Sequence, residues 1–344
     1  MAYEILQQKM SMWPAVVPEG KELTEILRLL FTLEEAEILS SGAFTAPFQD
    51  YRSTADIAEF TGKPHQYIKK IMEGLERKKR VFTFTDTISG QHYYSLFPVE
   101  PAVVGFFIET ADLEVQKIIM PLFEEVFQSR VSMGEGTQVE TWGRIVPVNR
   151  AVTVINEILT FETVAGLIQE ASAISVAPCF CKSKRPCHHP REVCMAFDEG
   201  AQFVVEKGIA RYIDTGEAIE LLNRTEDAGL IHISTNTGRG SKFVCNCCTC
   251  SCFLLKSLTE SENPSHFSTS QLIPHIDSDL CNLCNRCVDT CPFEALFDDG
   301  ALHLRENRCV GCGLCTHHCP GNAIYMIPRE REKENMIDVV SSPL

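Results

Sequence analysis

Eight cysteines near the carboxyl end of the chain occur in two runs of the same spacing. Each run reads C-x2-C-x2-C-x3-C-P, first as CNLCNRCVDTCP from residue 281 and then as CVGCGLCTHHCP from residue 309. A 4Fe–4S cube presents four iron atoms that each take one thiolate, and a C-x2-C-x2-C loop can turn three sulfurs toward one centre. The spacing therefore predicts two 4Fe–4S clusters. It argues against zinc, whose sites usually separate two C-x2-C pairs.

The two runs resemble those of bacterial ferredoxins that carry two 4Fe–4S clusters. The resemblance implies that the last cysteine of each run binds the cluster held by the other run. One cluster would then take Cys281, Cys284, Cys287 and Cys319. The other would take Cys309, Cys312, Cys315 and Cys291. Gly311 and Gly313 are expected to let backbone N–H groups approach the sulfurs.

Nine further cysteines lie in two groups in the middle of the chain, in the stretches CFCKSKRPCHHPREVC and CNCCTCSC. They are Cys179, Cys181, Cys187, Cys194, Cys245, Cys247, Cys248, Cys250 and Cys252. Cysteines used only for packing are scattered, so this density predicts metal ligands. The number of thiolates favours two more 4Fe–4S clusters with one cysteine to spare. A single cluster, a non-cubane cluster at the adjacent Cys247 and Cys248, or zinc are the alternatives.

Histidines accompany both cysteine-rich regions. His188 and His189 are expected to be solvated loop residues rather than ligands, and His317 and His318 are expected to face solvent. Pro190 is expected to begin a helix over residues 191–207. Such a helix would place Cys194 near free N–H groups and the positive end of the helix dipole, which favour a thiolate.

Composition limits the classes of protein that fit. The chain has 344 residues, 17 cysteines and a formal net charge of −15 at pH 7. The length allows two or three domains, and the acidic balance argues against a general affinity for nucleic acid or anionic membranes. No signal peptide or membrane span is evident, and the cysteines suit metal binding in a reducing compartment better than disulfides. A cytoplasmic protein in anaerobic surroundings is expected.

The N-terminal part of the chain is expected to form a domain of its own. Apolar spacing predicts a helix within residues 21–40, a short helix capped by Thr54, and a third helix after Pro64, followed by strands on either side of Ser89 and Gly90. This order resembles a winged-helix domain, whose DNA-reading helix would fall on residues 64–80. Basic residues lie on or beside that helix: Lys63, Lys69, Lys70, Arg77, Lys78, Lys79 and Arg80.

DNA binding by this helix is nevertheless the weaker interpretation. A recognition helix contacts bases near its N-terminal end, where only His65 and Gln66 stand. Basic residues in a last helical turn also interact with the helix dipole. A structural or docking role is therefore favoured.

The elements between the front and the cysteine runs are less sharply marked. Periodicity predicts helices over 100–133, 162–173 and 216–228, and strands near 144–149 and at LIHIS. The stripe on the first of these helices fits a core or a subunit-packing face, so a homo-oligomer is among the expectations. Residues 253–280 are expected to form a polar connector. Residues 302–304 are expected to pair with the strand after the first Cys-Pro.

Nearly the whole chain resembles a group of 4Fe–4S ferredoxin-family proteins of anaerobic bacteria and archaea. The C-x-C…C…C loop at 179–194 and the CNCC-rich segment at 245–252 carry this resemblance, although Ser251 interrupts the cysteines of the second. The implied fold class is α+β and multidomain. Its parts are a winged helix (1–100), a helical connector (101–140), a cysteine-rich α/β iron–sulfur domain (141–258), and a ferredoxin-like 2[4Fe–4S] domain with its tail (259–344).

The resemblance implies electron transfer, as a component of, or a donor or acceptor to, a larger anaerobic oxidoreductase. The expected partners are a redox protein or oxidoreductase subunits. No Walker loop, dinucleotide fingerprint or Ser-His-Asp arrangement indicates substrate chemistry of its own. The alternatives are a redox-responsive DNA-binding transcription regulator and a structural adaptor that ties a ferredoxin module to an enzyme complex.

Overall fold

A computed structural model describes most of the chain: residues 1–11, 20–86, 88–99, 107, 111–133, 143–148, 163–185, 187–235, 243–260, 264 and 270–329. The chain divides into two compact units, Met1–Arg130 and Val131–Leu344. The fold mixes helices and strands, as the sequence predicts. The finer domain boundaries at 100, 140 and 258 stay predictions. The tail beyond residue 329 and residue 149 of the predicted strand lie outside the described residues.

The first unit contains helices that precede and follow one antiparallel hairpin. The helices are α1 (Ala2–Met10), α2 (Lys21–Leu30), α3 (Leu33–Leu39), α4 (Thr54–Thr61), α5 (His65–Arg77) and α6 (Leu113–Met133, which ends in the second unit). The hairpin joins β1 (Phe82–Thr85) to β2 (His92–Ser95), with Phe82 opposite Ser95. The predicted order of helices and strands is therefore present. The assignment as a winged helix remains a prediction.

The starts of helices α4 and α5 differ slightly from the expectation. Ser53, not Thr54, caps α4, because Ser53 and Asp56 form a capping box in which each side chain bonds the other's backbone N–H. Pro64 is the residue that precedes α5. Helix α5 buries Ile68, Met72 and Leu75 against the unit.

The second unit is built on a six-stranded sheet of order β3-β7-β8-β5-β4-β6 in which every described pair is antiparallel. Its strands are β3 (Gly143–Val146), β4 (Ile174–Pro178), β5 (Glu192–Phe197), β6 (Arg211–Ile213), β7 (Ile231–Thr235) and β8 (Phe243–Cys247). The helices around it are α7 (Val164–Glu170), α8 (Phe180–Lys184), α9 (Glu199–Glu206), α10 (Thr215–Asp227) and α11 (Phe253–Glu260).

The predicted helix over 191–207 is wrong in its first half. Glu192–Phe197 is strand β5, and the helix begins only at Glu199. Val193, Met195 and Phe197 are at most 1% exposed, so the apolar side chains recur at every second position as a strand requires. Cys194 lies opposite Ala177 in the ladder. The expected influence of a helix N-terminus on Cys194 therefore does not apply.

The predicted polar connector over 253–280 is also wrong, because it contains two regular elements. Helix α11 buries Phe253, Leu255 and Leu258. Strand β9 (Leu272–Ile276) pairs with β12 (Ile324–Pro328) along its whole length. Ile273 and Ile276 of strand β9 pack in the apolar clusters that contain cysteines of the two runs.

The remaining elements of the second unit belong to the cysteine runs themselves. Short helices α12 (Arg286–Thr290) and α13 (Leu314–His317) lie within the first and second run, respectively, each containing the third cysteine of its run. Strand β10 (Leu296–Asp298) pairs with β11 (Leu302–Leu304), which confirms the predicted hairpin.

Candidate metal centres

Two cavities in the cysteine-run region are each lined by four cysteines. The first cavity is lined by Cys281, Cys284, Cys287 and Cys319. The second cavity is lined by Cys309, Cys312, Cys315 and Cys291. Each set takes three cysteines from one run and the fourth from the other, which is the grouping that the ferredoxin resemblance implies. Four thiols around one space fit a 4Fe–4S cube in each cavity.

The two loops repeat the same backbone path. Leu283 and Asn285 have φ of 55° and 60°, and the equivalent Gly311 and Gly313 have φ of 71° and 79°. At Gly311 a Cβ would lie 2.2 Å from the carbonyl oxygen of Leu272. Only glycine fits there, because strand β9 passes directly behind the loop.

Backbone N–H groups approach the sulfurs in both halves. Ala295 donates its N–H to Cys291 Sγ at 3.4 Å, and Ala323 donates to Cys319 Sγ at 3.3 Å. The backbone N–H of Gly311 lowers the pKa of Cys309, although burial is the larger influence and raises it. Such N–H···S bonds stabilise negative charge on the sulfur.

Burial disfavours the thiolate form of several of these cysteines. It raises the pKa of Cys287 to about 11 and raises the pKa of Cys312 and Cys315 well above the usual range. A thiolate in these positions therefore needs a neighbouring metal to compensate the lost hydration.

One apolar cluster contains cysteines that line both cavities. Cys315 lines the second cavity and packs in one apolar cluster with Cys287 and Cys319, which line the first. Arg329 lies beside the second cavity, where it donates to the carbonyl oxygen of Cys309 at 2.6 Å.

Six of the nine middle cysteines are neighbours that shift one another's pKa in a closed order, here called the six-thiol ring. Its order is Cys179, Cys181, Cys252, Cys247, Cys245, Cys194 and back to Cys179. The members come from the turn before α8 and its first residues, from β5, from β8, and from the turn before α11. Hydrogen bonds from neighbouring thiols lower the pKa of Cys245 to about 5, and they raise the pKa of Cys247.

The other three middle cysteines meet at a second place. The ligand atoms of Cys187, His189, Cys248 and Cys250 all lie within 4.8 Å of one another. This set is here called the Cys3His group. Burial lowers the pKa of His189, and the charges of His188 and Lys182 lower it further. His188 lies outside the group and stacks on His189 with ring centroids 4.2 Å apart.

The sequence predicts that His189 is a solvated loop residue and not a ligand. The structure instead places its ring beside three cysteines. The signal in the sequence is the pair of C-x-H and C-x-C spacings, at Cys187 and at Cys248. Lys182 has a structural role that the sequence does not indicate. It is 2% exposed, and its Nζ donates to the carbonyl oxygen of Pro190 at 2.7 Å.

A series of polar side chains, most of them buried, links the sheet to the second cysteine run. Asn246, between two ring cysteines, has its Oδ1 2.5 Å from Nδ1 of the fully buried His232. His232 Nε2 lies 3.2 Å from Glu226 Oε1. His317 Nδ1 lies 3.9 Å from the other Glu226 oxygen, with its side chain 12% exposed, so the expectation that His317 faces solvent is wrong.

Two segments of the chain match protein families. Residues 273–296 and residues 303–325 each match a family described as "4Fe-4S binding domain". The two matches cover the two cysteine runs and confirm the iron–sulfur prediction for this region. No solved structure matches the chain.

Curated relatives share the same region. The chain is 39% identical over 62 residues to a tetrathionate reductase subunit of Salmonella typhimurium, a match that covers 17% of this chain and 23% of that relative. It is 38% identical over 60 residues to "Pyruvate synthase subunit PorD" of Methanothermobacter marburgensis, which covers 17% of this chain and 68% of the relative. It is 26% identical over 95 residues to "Electron transport protein HydN" of Escherichia coli, a match that covers 24% of this chain and 54% of that relative.

The similarity is therefore confined to a minor part of this chain, and it spans about a quarter of the tetrathionate reductase relative. Within the described ranges, no helix is both long and apolar enough to cross a lipid bilayer.

Proposed function

Because the chain belongs to the family of 4Fe–4S ferredoxin-type proteins, we propose that it is a multi-cluster electron-transfer protein. Two clusters would occupy the C-terminal cavities, and the cysteine-rich middle region would hold at least one more iron–sulfur centre in the six-thiol ring. The observation that carries the proposal is the pair of four-cysteine cavities, whose linings share one apolar cluster that contains Cys287 and Cys315.

The chain's own residues would position the clusters and keep water away from them. The clusters themselves supply reversible one-electron chemistry when bound. Phe293, Leu296 and Leu314 are at most 3% exposed beside the cavities and exclude water from the second. The N–H groups of Ala295 and Ala323 would help to stabilise the negative charge that reduction adds.

The face around the first cavity is the proposed contact site for a redox partner or another component of an oxidoreductase. Cys284 is exposed there, and the neighbouring Leu280 and Leu283 are 56% and 40% exposed. Two apolar side chains beside an exposed ligand are suited to a transient contact that brings a partner's redox group close.

Metal analysis combined with two matched cysteine variants tests this proposal. Anaerobically prepared protein should contain about eight irons in the C-terminal cavities, at four per cube, and further iron in the middle region. Reduction should give paramagnetic centres whose spectra show mutual coupling, because the cavities adjoin.

Cys291→Ser should alter one of the two C-terminal centres and Cys319→Ser the other. If each variant altered the centre held by its own run, the crossed ligand assignment would fail. Absence of reducible iron in the unsubstituted protein would overturn the electron-transfer proposal itself.

A transcription regulator is the second candidate, favoured by the helices α4 and α5 followed by a hairpin. Two contacts weaken it. Lys78 Nζ pairs with Glu35 Oε1 at 2.8 Å, and Arg80 is 9% exposed with its guanidinium 5.6 Å from the Phe31 ring centroid. These two cations are used within the unit and contribute little to a surface for phosphates.

A further inference from the structure

We propose that the Cys3His group binds a single structural zinc ion, separate from any iron in the protein. Cys187, Cys248 and Cys250 would supply three thiolates, and His189 would supply its Nδ1 atom. This inference does not depend on electron transfer by the C-terminal clusters.

Two of the six distances between ligand atoms match those around one tetrahedral ion. With zinc–sulfur bonds of about 2.3 Å and a zinc–nitrogen bond of about 2.0 Å, a tetrahedron places two sulfurs about 3.8 Å apart and a sulfur and nitrogen about 3.5 Å apart. Cys187 Sγ lies 3.6 Å from Cys248 Sγ, and Cys250 Sγ lies 3.5 Å from His189 Nδ1. All four ligand atoms lie within 4.8 Å of one another.

A 4Fe–4S cube does not suit this spacing. Its four irons occupy separate corners, so it holds its ligand sulfurs farther apart than a single ion does. In the C-terminal module, four cysteines surround a cavity, but the ligand atoms of the Cys3His group lie within 4.8 Å of one another. Zinc is the metal whose structural sites use three cysteines and one histidine in a closed tetrahedron.

The four ligands come from two distant segments. Cys187 and His189 lie between α8 and β5, and Cys248 and Cys250 follow β8, 61 residues farther on. Ser251 Oγ donates to the carbonyl oxygen of Arg185 at 2.6 Å, which ties the two segments together beside the group. A zinc ion here would join them, releasing the thiol protons to solvent as it binds.

The same two segments carry the six-thiol ring. Cys181 lies six positions before Cys187, and Cys247 and Cys252 flank Cys248 and Cys250. The zinc ion would therefore fix the backbone from which neighbouring ring thiols project. In that arrangement the nine middle cysteines divide into six for the ring and three for zinc.

The test begins with the full chain, prepared anaerobically with zinc and iron both supplied. Mass spectrometric metal analysis should find one zinc per chain in addition to iron. Zinc-edge X-ray absorption should show three sulfurs at about 2.3 Å and one nitrogen at about 2.0 Å. Absence of zinc, or zinc surrounded by four sulfurs or by oxygen, would overturn the proposal.

Four variants then locate the ion. Cys250→Ala and His189→Ala should lower zinc affinity by more than about tenfold, and His189→Cys should restore it with a fourth sulfur in the absorption spectrum. His188→Ala is the matched control, since this ring stacks on His189 but lies outside the group, and it should keep its zinc.

Iron content separates this site from the ring. His189→Ala should keep the C-terminal iron, which also reports that the chain has folded. Wild-type zinc affinity in His189→Ala, or failure of His189→Cys to restore zinc, would exclude His189 as the ligand and overturn the assignment.

Discussion

Nε2 of His317 lies 3.0 Å from Oδ1 of Asp227. His317 belongs to the second cysteine run, and Asp227 ends helix α10 beside the six-stranded sheet. A second contact runs in parallel, because Val148 donates its N–H to the carbonyl oxygen of Cys312 at 3.0 Å. The cysteine runs are therefore fastened to the sheet that carries the middle cysteines.

The buried His232 should contribute strongly to stability. His232→Leu removes a ring that contacts Asn246 and Glu226, two side chains that are themselves at most 2% exposed. We expect the free energy of unfolding to fall by about 3 kcal/mol, because buried polar groups lose a partner that water does not replace. Denaturant unfolding of the metal-loaded protein measures this change.

His303→Ala is the control for that prediction. His303 also lies 3.0 Å from a carboxylate, that of Asp299, but both side chains are about half exposed or more. Its effect should stay within about 0.5 kcal/mol. Equal effects of the two substitutions would show that burial of the His232 contacts is not what stabilises the sheet.

Gly311→Ala should be much more damaging than Gly229→Ala. Both glycines have φ of 71°, so the backbone strain that alanine introduces is the same, about 1 kcal/mol. Only at Gly311 does a Cβ meet a backbone atom, the oxygen of Leu272 at 2.2 Å, while nothing lies within 4 Å at Gly229.

The expected result is loss of iron from the second cavity in Gly311→Ala and full iron content in Gly229→Ala. Iron analysis and the spectrum of the reduced centres check this. Full iron content in both proteins would mean that strand β9 can move away from the loop.

Arg329 should raise the reduction potential of the cluster in the second cavity. Its charge lies beside Cys309 and lowers that thiol's pKa, although burial is the larger influence and raises it. Arg329→Gln should shift the potential negative by on the order of 50–100 mV, because one nearby positive charge that stabilised the reduced form is lost.

Protein-film voltammetry measures that shift, with Arg305→Gln as the control. Arg305 is exposed and stacks over Phe297 on the hairpin, 4.0 Å from the ring centroid. An equal shift in both variants would indicate a general effect of net charge, and no shift in either would refute the local role of Arg329.

The first unit should not bind DNA in a salt-dependent manner. Arg80 is buried and Lys78 is paired with Glu35. Fewer basic side chains are therefore available to contact DNA phosphates than the sequence pattern indicates. Fluorescence polarisation with random and genomic duplexes at low salt should give no more than weak, sequence-independent binding. A tight complex whose affinity falls steeply with salt would instead support the regulator.

Sequence spacing predicted the C-terminal centres well because the ligands of each loop are neighbours in the chain. The family matches confirm iron–sulfur binding in this region. Cys319 lines the cavity of the first run and Cys291 that of the second, and their role as ligands stays a prediction. The hairpin of residues 302–304 was likewise predictable, since its partner strand lies only a few residues away.

The middle region was less predictable because its structure depends on distant pairings. The sequence predicts a helix where strand β5 lies, because only the ladders of this strand with β4 and β8 decide its conformation. His189 gains a candidate role through its contact with Cys250, 61 positions away, so the C-x-H and C-x-C spacings mark the two halves of the group but not their pairing. Strand β9 was missed for the same reason, since its partner β12 follows both cysteine runs.

The pairing of β9 with β12 sets Leu272 directly opposite Pro328. The segment from Leu272 to Pro328, here called the cassette, contains both cysteine runs and therefore begins and ends at the same pair of strands. Chain segments whose two ends adjoin can be gained, lost or exchanged between proteins without disturbing what surrounds them. A cassette transplanted into another protein should therefore include residues 272 to 328. A cut at the first cysteine would remove strand β9 and leave strand β12 without its partner.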